Sequence, residues 1–273
     1  MKKKKYASDC SRFCYRSLAF LKYFLFSRNR KGYGIHSPFL FEFITAVLRD
    51  KQEYDAYRKI ESVRNELGKS KETIRFHDYG TGAIKRRYGE RKISEIIKTS
   101  ATRRKYGKLL FRTVRYFNPL KIIELGTSLG IGTMYMGMGN PGSEIITLEG
   151  CEECARRAQM SFRKMGLENI VIKTGPFKNV LPEVLKRLEF VDLVFFDGDH
   201  RRNELIDYFE TCLPYRHNNT VFILDDIHWS AEMKEAWGII KQYPEVNVTV
   251  DLYQMGIIFF RTELSRQDFS IKF

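Results

Sequence analysis

The sequence predicts an α/β protein: a doubly wound, mostly parallel seven-stranded sheet with an antiparallel strand near its C-terminus, preceded by a helical N-terminal extension. Two observations carry this. From residue 119 onward, short runs rich in Ile, Val, Leu and Phe alternate with stretches of helical periodicity. Almost every one of those apolar runs ends in an acid or a glycine, the places where a buried parallel strand turns into a loop.

The elements follow in order. Strand Lys121–Leu125 breaks at Gly126, Gly130 and Gly132 and gives way to a helix near 130–138. Strand Glu144–Glu149 leads to a helix from Cys151 to Met165, stopped by Gly166. Strand Asn169–Lys173 passes through Gly175, Pro176 and Phe177 into a helix that runs to Leu188. Strand Val191–Phe196 ends in Asp197, Gly198, Asp199 and His200 before a helix over Asn203–Cys212. Strand Thr220–Leu224 ends in Asp225 and Asp226 before a helix over Ala231–Tyr243. Val246–Leu252 and Gly256–Arg261 are close enough to pair as a hairpin. Ahead of this unit the pattern is helical: Ser37 and Pro38 read as N-cap and first residue of a helix over Phe39–Arg49, followed by helices over 52–68 and 105–117. We divide the chain into a basic extension, residues 1–104, and an α/β domain, residues 105–273.

Charge supports that division. Residues 1–120 hold 30 Lys and Arg against 11 Asp and Glu, a net of +19, whereas the remainder is −5, together the +14 of the whole chain. Such a basic half suits nucleic acid, anionic lipid or an acidic small substrate, against the default of a solvated surface. Phe13 to Phe26 is apolar but carries Arg16 and Lys22, so it is too short and too charged to span a bilayer. Two roles are open to it, an amphipathic helix covering the active site or peripheral contact with a membrane, and the cover is favoured. Five cysteines and no secretory signal point to reduced thiols and a cytoplasmic location. Cys151 and Cys154 form a CxxC without a second pair to complete a zinc site, and read as two cysteines on one helical turn.

The chemistry lies at the carboxyl ends of the strands. Glu149 comes 23 residues after Gly126, at the tip of the second strand, where an acid accepts the hydroxyls of a ribose. The ligand expected is therefore a nucleoside. The dinucleotide pattern G-x-G-x-x-G is broken by Ser128, and the Gly-Lys-Ser/Thr ending of a P-loop is missing. A second strand-acid-glycine sequence, Asp78 to Gly82, is followed by the basic run Lys85–Lys92 rather than an apolar helix face, and reads as a loop. Asp197, Asp225 and Asp226 converge above the sheet, where several carboxylates repel one another unless protons or a hard cation such as Mg²⁺ hold them.

The string from Glu124 to Gly130, E-x-G-x-x-x-G, resembles the first motif of class I S-adenosylmethionine-dependent methyltransferases, a Rossmann-like fold. Residues 105–262 resemble the catechol O-methyltransferase-like group within that class, and Gly34 to Phe39 resembles an N-terminal signature of one of its bacterial branches. The resemblance implies S-adenosylmethionine as cofactor, held by Glu124, Gly126, Thr127, Ser128, Gly130, Glu149, Gly150, Gly175, Phe177 and Asp197. Glu124 is expected to face the methionine ammonium end. The group's metal-binding Asp and Asp-Asn pair map to Asp197, Asp225 and Asp226, with Asp in place of Asn at the last. The group's general base, a Lys, maps to His200, an easier base at neutral pH. The activity implied is methyl transfer to a small-molecule hydroxyl. The rivals are an RNA methyltransferase using the basic half and a non-catalytic S-adenosylmethionine-binding protein. Against RNA stand the acidic rim and the absence of an Asn/Asp-Pro-Pro-Tyr motif or a Pro-Cys nucleophile.

Overall fold

The structure, a computed structural model, describes residues 15–25, 27, 37–77 and 88–273. The described residues begin with helix α1 over residues 15–25, then α2 (Pro38–Phe43), which widens into a π turn at Ile44–Leu48, and α3 (Asp55–Lys69). Ser37 caps α2 as its residue type predicts, its Oγ accepting from the Leu40 amide at 3.3 Å with Pro38 next in line. Strands β1 (Thr73–His77) and β2 (Tyr88–Lys92) pair antiparallel, and α4 (Ile93–Ser100) and α5 (Arg104–Phe117) complete the first part. The sequence reading anticipated only the first strand of that hairpin and missed α4. The loop between the strands, the second strand-acid-glycine sequence, lies outside the described residues.

The α/β unit runs β3 (Lys121–Leu125), α6 (Ile131–Gly139), β4 (Glu144–Glu149), α7 (Glu152–Lys164), β5 (Ile170–Thr174), α8 (Phe177–Leu188), β6 (Val191–Phe196), α9 (Arg202–Cys212), β7 (Arg216–Leu224), α10 (Ala231–Ile240), β8 (Val248–Asp251), β9 (Gly256–Phe259) and β10 (Gln267–Ser270). Its sheet has the order β10-β8-β9-β7-β6-β3-β4-β5, and only β9 runs antiparallel to its neighbours. That is one strand more than the seven expected. The extra strand, β10, is a short polar edge segment of sequence Gln-Asp-Phe-Ser, too weakly patterned to be read from periodicity.

Strand order places the switch of direction between β3 and β6: the chain winds outward through β4 and β5, then returns to the other side of β3. A crevice at the carboxyl ends of such neighbours is where doubly wound sheets bind ligands. The glycines fit this geometry. Gly126 has φ +108°, and a Cβ there would stand 2.6 Å from the Asp197 carbonyl oxygen, so only glycine lets the β3 and β6 loops approach.

Two apolar layers cover the sheet. One joins Ile123, Leu125, Val194 and Phe222 to α8, α9 and α10. The other joins Ile122, Phe195 and Ile257 to α5, α6 and α7, and continues into Leu40, Phe43, Tyr57 and Ile96 of the N-terminal helices. The extension therefore shares the core of the sheet. Tyr57 meets Tyr135 of α6 at 5.9 Å between ring centroids, and the Tyr135 hydroxyl bonds Glu61 at 2.9 Å. Buried Arg112 donates through Nε to the Val47 carbonyl at 2.6 Å, which ties α5 to the π turn. At the far end, the Tyr23 hydroxyl of α1 donates to the Ile271 carbonyl at 2.6 Å and accepts from the Phe273 amide at 3.0 Å, pinning α1 to residues 271–273.

Candidate active site

The loop after β3 is built from left-handed residues. Besides Gly126, Ser128 lies at φ +48° and Gly130 at φ +79°, where it caps α6. A Cβ on Gly130 would come within 2.5 Å of the Phe162 ring, so the glycine allows α6 to start hard against α7. The amides of Gly126 and Thr127 both donate to the Leu148 carbonyl, at 2.9 and 3.2 Å, binding the loop to the end of β4. There Glu149 closes the arrangement. Its Oε2 accepts the Ser128 amide at 2.6 Å and its Oε1 accepts the Cys151 amide at 2.8 Å. The carboxylate is oriented by backbone on both sides, half-buried at a strand tip, with Gly150 beside it. The Ser128 hydroxyl is buried and has no partner of its own.

Glu124 is placed differently from the other acids. Its side chain is 1% exposed beneath the start of α6, and Oε2 accepts hydroxyls from Thr133 and Thr147, each at 2.5 Å. Thr147 also bonds Thr127 at 2.5 Å, so the acid, both strands and the glycine loop form one network. Burial pushes the Glu124 carboxyl up to about 7, against the lowering effect of the two threonines.

On the β5 side, Gly175 has φ +135° and its amide donates to the Glu149 carbonyl at 3.0 Å. Phe177, the first residue of α8, is packed on Gly198: a Cβ there would stand 2.4 Å from the phenyl ring. Phe177 thus links the turn after β5 to the loop after β6, and its ring meets Tyr208 edge-on at 5.8 Å.

The carboxyl ends of β6 and β7 bring three acids together. The Asp197 amide donates to the Leu125 carbonyl at 2.9 Å, and the Asp225 amide to the Phe196 carbonyl at 2.9 Å. These bonds stagger Asp197 and Asp225 across adjacent strands. Burial, reinforced by Asp225 and Asp226, drives the Asp197 carboxyl well above its ordinary range. Burial and then Asp226 raise Asp225 to about 8. The mutual repulsion of these buried acids disfavours ionising all of them together. Gln254 stands 3.5 Å from Asp225 Oδ2, while Asp225 Oδ1 is buried without a hydrogen-bond donor. Asp226 adopts φ +55° and faces His200, whose Nε2 lies 3.7 Å from Asp226 Oδ2. Both side chains are about one-fifth exposed, His200 at 22% and Asp226 at 23%, so this pair opens to solvent.

The sequence-expected residues therefore fall into two groups. Gly126, Thr127, Ser128, Gly130, Glu149, Gly150 and Gly175 sit at the carboxyl ends of β3, β4 and β5, with Phe177 reaching across to the β6 loop. Asp197, Asp225, Asp226 and His200 gather over β6 and β7. Among the described residues no group of three or more His, Cys, Asp or Glu side chains is arranged to hold a metal ion.

Further residues shape the rim. Asp199, at φ +64° and 7% exposed, is held by Arg201, whose Nε donates to Oδ1 at 2.6 Å, shaping the loop that carries His200. His228 bonds Asp251 through Nε2 at 2.7 Å and stacks on Tyr253 at 5.4 Å. Tyr106 of α5 is buried near Asp225 and Asp226, and its phenol is raised mainly by burial. In the Gly107 to Leu110 segment beside it, Leu109 and Leu110 are fully buried and Gly107 abuts the Tyr135 ring. Helix α1 reaches the same rim. Arg16 lies over the Trp229 indole at 4.2 Å, and the Tyr253 hydroxyl donates to the Arg16 carbonyl at 2.8 Å. No spacing rule connects residue 16 with residues 229 and 253; only the fold does.

Residues 123–227, which span β3 to the loop after β7, match a family model described as a methyltransferase domain. An O-methyltransferase of Aspergillus hancockii is 29% identical over 145 residues, 46% of this chain and 56% of that protein, so the chain spans about half the length of the curated relative it matches. An O-methyltransferase from Bacillus cereus, solved in complex with S-adenosylhomocysteine, superposes with a TM-score of 0.55 at 18% identity over 80% of this chain and 96% of its own. The O-methyltransferase TomG from Streptomyces achromogenes, solved with S-adenosylmethionine, gives a TM-score of 0.55 at 16% identity over 77% of this chain and 91% of its own. At these identities the solved structures establish the shared fold.

Proposed function

We propose, from the premise that residues 123–227 are a methyltransferase domain of the class I, catechol O-methyltransferase-like type, that the protein is an S-adenosylmethionine-dependent O-methyltransferase acting on a small-molecule hydroxyl. The observation that carries the reading is the joint between Glu149 and the glycine loop. An acid fixed by the Ser128 and Cys151 amides at the tip of β4 suits two vicinal ribose hydroxyls, next to backbone that Gly126 and Gly130 keep bare.

The residues present fit the cofactor. The unpartnered Ser128 hydroxyl supplies a polar atom at the loop. Glu124, near 7 when surrounded only by protein, is the acid that a neighbouring ammonium would ionise. Phe177, seated on Gly198, offers an aromatic edge where the β5 and β6 loops meet. The cofactor, when bound, supplies the electrophilic methyl. Glu149 orients the ribose, and the loop sets the distance between the two halves of the site. His200 accepts the proton of the attacking hydroxyl, and Asp226 at 3.7 Å steadies the imidazolium that results. The Asp197–Asp225 pair closes the floor between them. Holding acceptor oxygen and methyl in line accounts for much of such a rate, up to about 7–11 kcal/mol in well-oriented reactions.

The test is calorimetric titration of the full chain with S-adenosylmethionine and S-adenosylhomocysteine, with and without Mg²⁺. Binding of both, unaffected by Mg²⁺, followed by methyl transfer to hydroxyl acceptors in a screen, is the expected outcome. Absence of binding overturns the reading. Binding without transfer to any acceptor favours the non-catalytic rival.

A further inference from the structure

Helix α1 uses only one side of itself to hold the fold. Arg16, Phe20 and Tyr23 face the body, where they meet Trp229, Tyr253 and Ile271. The opposite side carries Leu18, Leu21 and Leu25, which are 60%, 52% and 64% exposed. Their spacing of three and four residues puts them in one stripe along the helix. Phe24 borders the stripe at 47% exposure. Of the twelve large apolar side chains exposed among the described residues, four lie on or beside this stripe. Scattered apolar residues need no explanation, but a concentration of this kind marks a contact surface.

The charge around the helix narrows what that surface meets. Residues 1–31 contain ten Lys and Arg and a single acid, Asp9. Lys22 lies on α1 itself, exposed, and Lys272 Nζ sits 3.1 Å from the centre of the Phe24 ring at the border of the stripe. A second copy of the chain is a poor partner, because it would bring one strongly cationic segment against another. Three leucines on a three-turn helix also fall short of the roughly 800 Å² per partner that a stable protein interface buries. Nucleic acid would satisfy the charge and leave the leucines unused. An anionic lipid surface satisfies both, with the apolar stripe in the acyl boundary and the cations among the phosphates. No helix among the described residues is long and apolar enough to cross a membrane, so the contact is one of lying on the surface.

We propose that α1 seats the protein on an anionic lipid surface through Leu18, Leu21 and Leu25, with the basic residues on either side as electrostatic partners. The consequence for the site follows from the other side of the same helix. Arg16 on Trp229 and Phe20 on Tyr253, at 5.2 Å, fix α1 to the rim that holds His200, so docking brings the acceptor side of the sheet to the lipid boundary.

The experiment is flotation of the full chain with vesicles of phosphatidylcholine alone and of phosphatidylcholine mixed with phosphatidylglycerol. The expected result is binding to the mixed vesicles at least about tenfold stronger than to the neutral ones, weakening with salt. The variant L18S/L21S/L25S loses about tenfold or more of that binding while melting at the wild-type temperature, since none of the three is buried. Leu120→Ser, equally exposed at 59% on another part of the surface, leaves binding unchanged. Should the triple variant fail to fold, K2Q/K3Q/K4Q/K5Q replaces it and is expected to weaken binding to mixed vesicles only. Equal binding to both vesicle types, no binding by the wild type, or binding untouched by these variants overturns the proposal. So does a wild-type dimer that the triple variant abolishes without any vesicle binding, which would make the stripe a self-association surface.

Discussion

The Glu149 carboxylate accepts the backbone amide of Ser128 at 2.6 Å, across the gap between the tips of β4 and β3. This bond makes one residue serve two ends. It holds a left-handed loop residue in place, and it aims the carboxylate itself. Replacing Glu149 by Ala should therefore remove both the ribose acceptor and the brace of the loop. Glu149→Gln keeps the shape but puts an amide where two backbone N–H groups already point. Both variants should lose at least about tenfold in S-adenosylhomocysteine affinity, about 1.4 kcal/mol, with Ala the worse. Titration calorimetry measures this, and wild-type affinity in Glu149→Ala removes Glu149 from the cofactor site.

Gly126→Ala tests the loop without touching a polar group. The methyl would have to occupy a φ of +108° and stand 2.6 Å from the Asp197 carbonyl oxygen. Backbone strain and overpacking together should cost about 2–4 kcal/mol of stability. A fall in melting temperature of several degrees is expected, together with loss of cofactor binding. A variant that melts like the wild type shows that the β3 and β6 loops are further apart than described.

Buried Glu124 makes a prediction about pH. Its folded-state value is raised to about 7 by burial, whereas the unfolded chain titrates near its ordinary value of 4.5. Between those values the folded protein keeps a proton that the unfolded chain has released. The folded state is thus penalised progressively as pH rises from about 4.5 to about 7, by on the order of 3 kcal/mol once Glu124 is ionised. Glu124→Gln should remove this slope and be the more stable protein at pH 8, though not at pH 4. If Glu124 also meets the cofactor's ammonium, affinity for S-adenosylhomocysteine should rise through the same window in the wild type and stay flat in the variant. Denaturation and calorimetry at pH 6 and 8 separate the two effects.

Much of this was legible in the sequence because parallel strands buried on both faces announce themselves as apolar runs. Lys121–Leu125 and Val191–Phe196 have the ends that the reading gave them. Strand tips carry the chemistry in such folds, so the acids could be placed before their neighbours were known. Strands β2 and β10 escaped because they are short and polar, where periodicity carries little signal, whereas α4 is short but places Ile93, Ile96 and Ile97 on one buried face, a helical pattern that the reading passed over. The burial of Glu124 escaped for another reason. Its partners Thr133 and Thr147 lie 9 and 23 residues away, and hydroxyls facing inward look the same in sequence as hydroxyls facing water.

His200 is the residue on which the proposed proton transfer turns, and its surroundings separate it from the other histidines. His228 is tied to Asp251 and stacked under Tyr253, with Nδ1 buried. His217 bonds Asp192 at 2.8 Å at the start of β7, the end of the sheet away from the acids. His200 alone, among the described histidines, faces an acid across the rim of the crevice, with room between its ring and Trp229 at 6.5 Å. His200→Asn should lower kcat by about 10²–10⁴, the usual range for losing a general base, while leaving S-adenosylhomocysteine affinity within about twofold of wild type. Asp226→Asn should cost less in kcat than His200→Asn. His217→Asn should leave kcat unchanged. Full activity in His200→Asn would assign the proton to solvent.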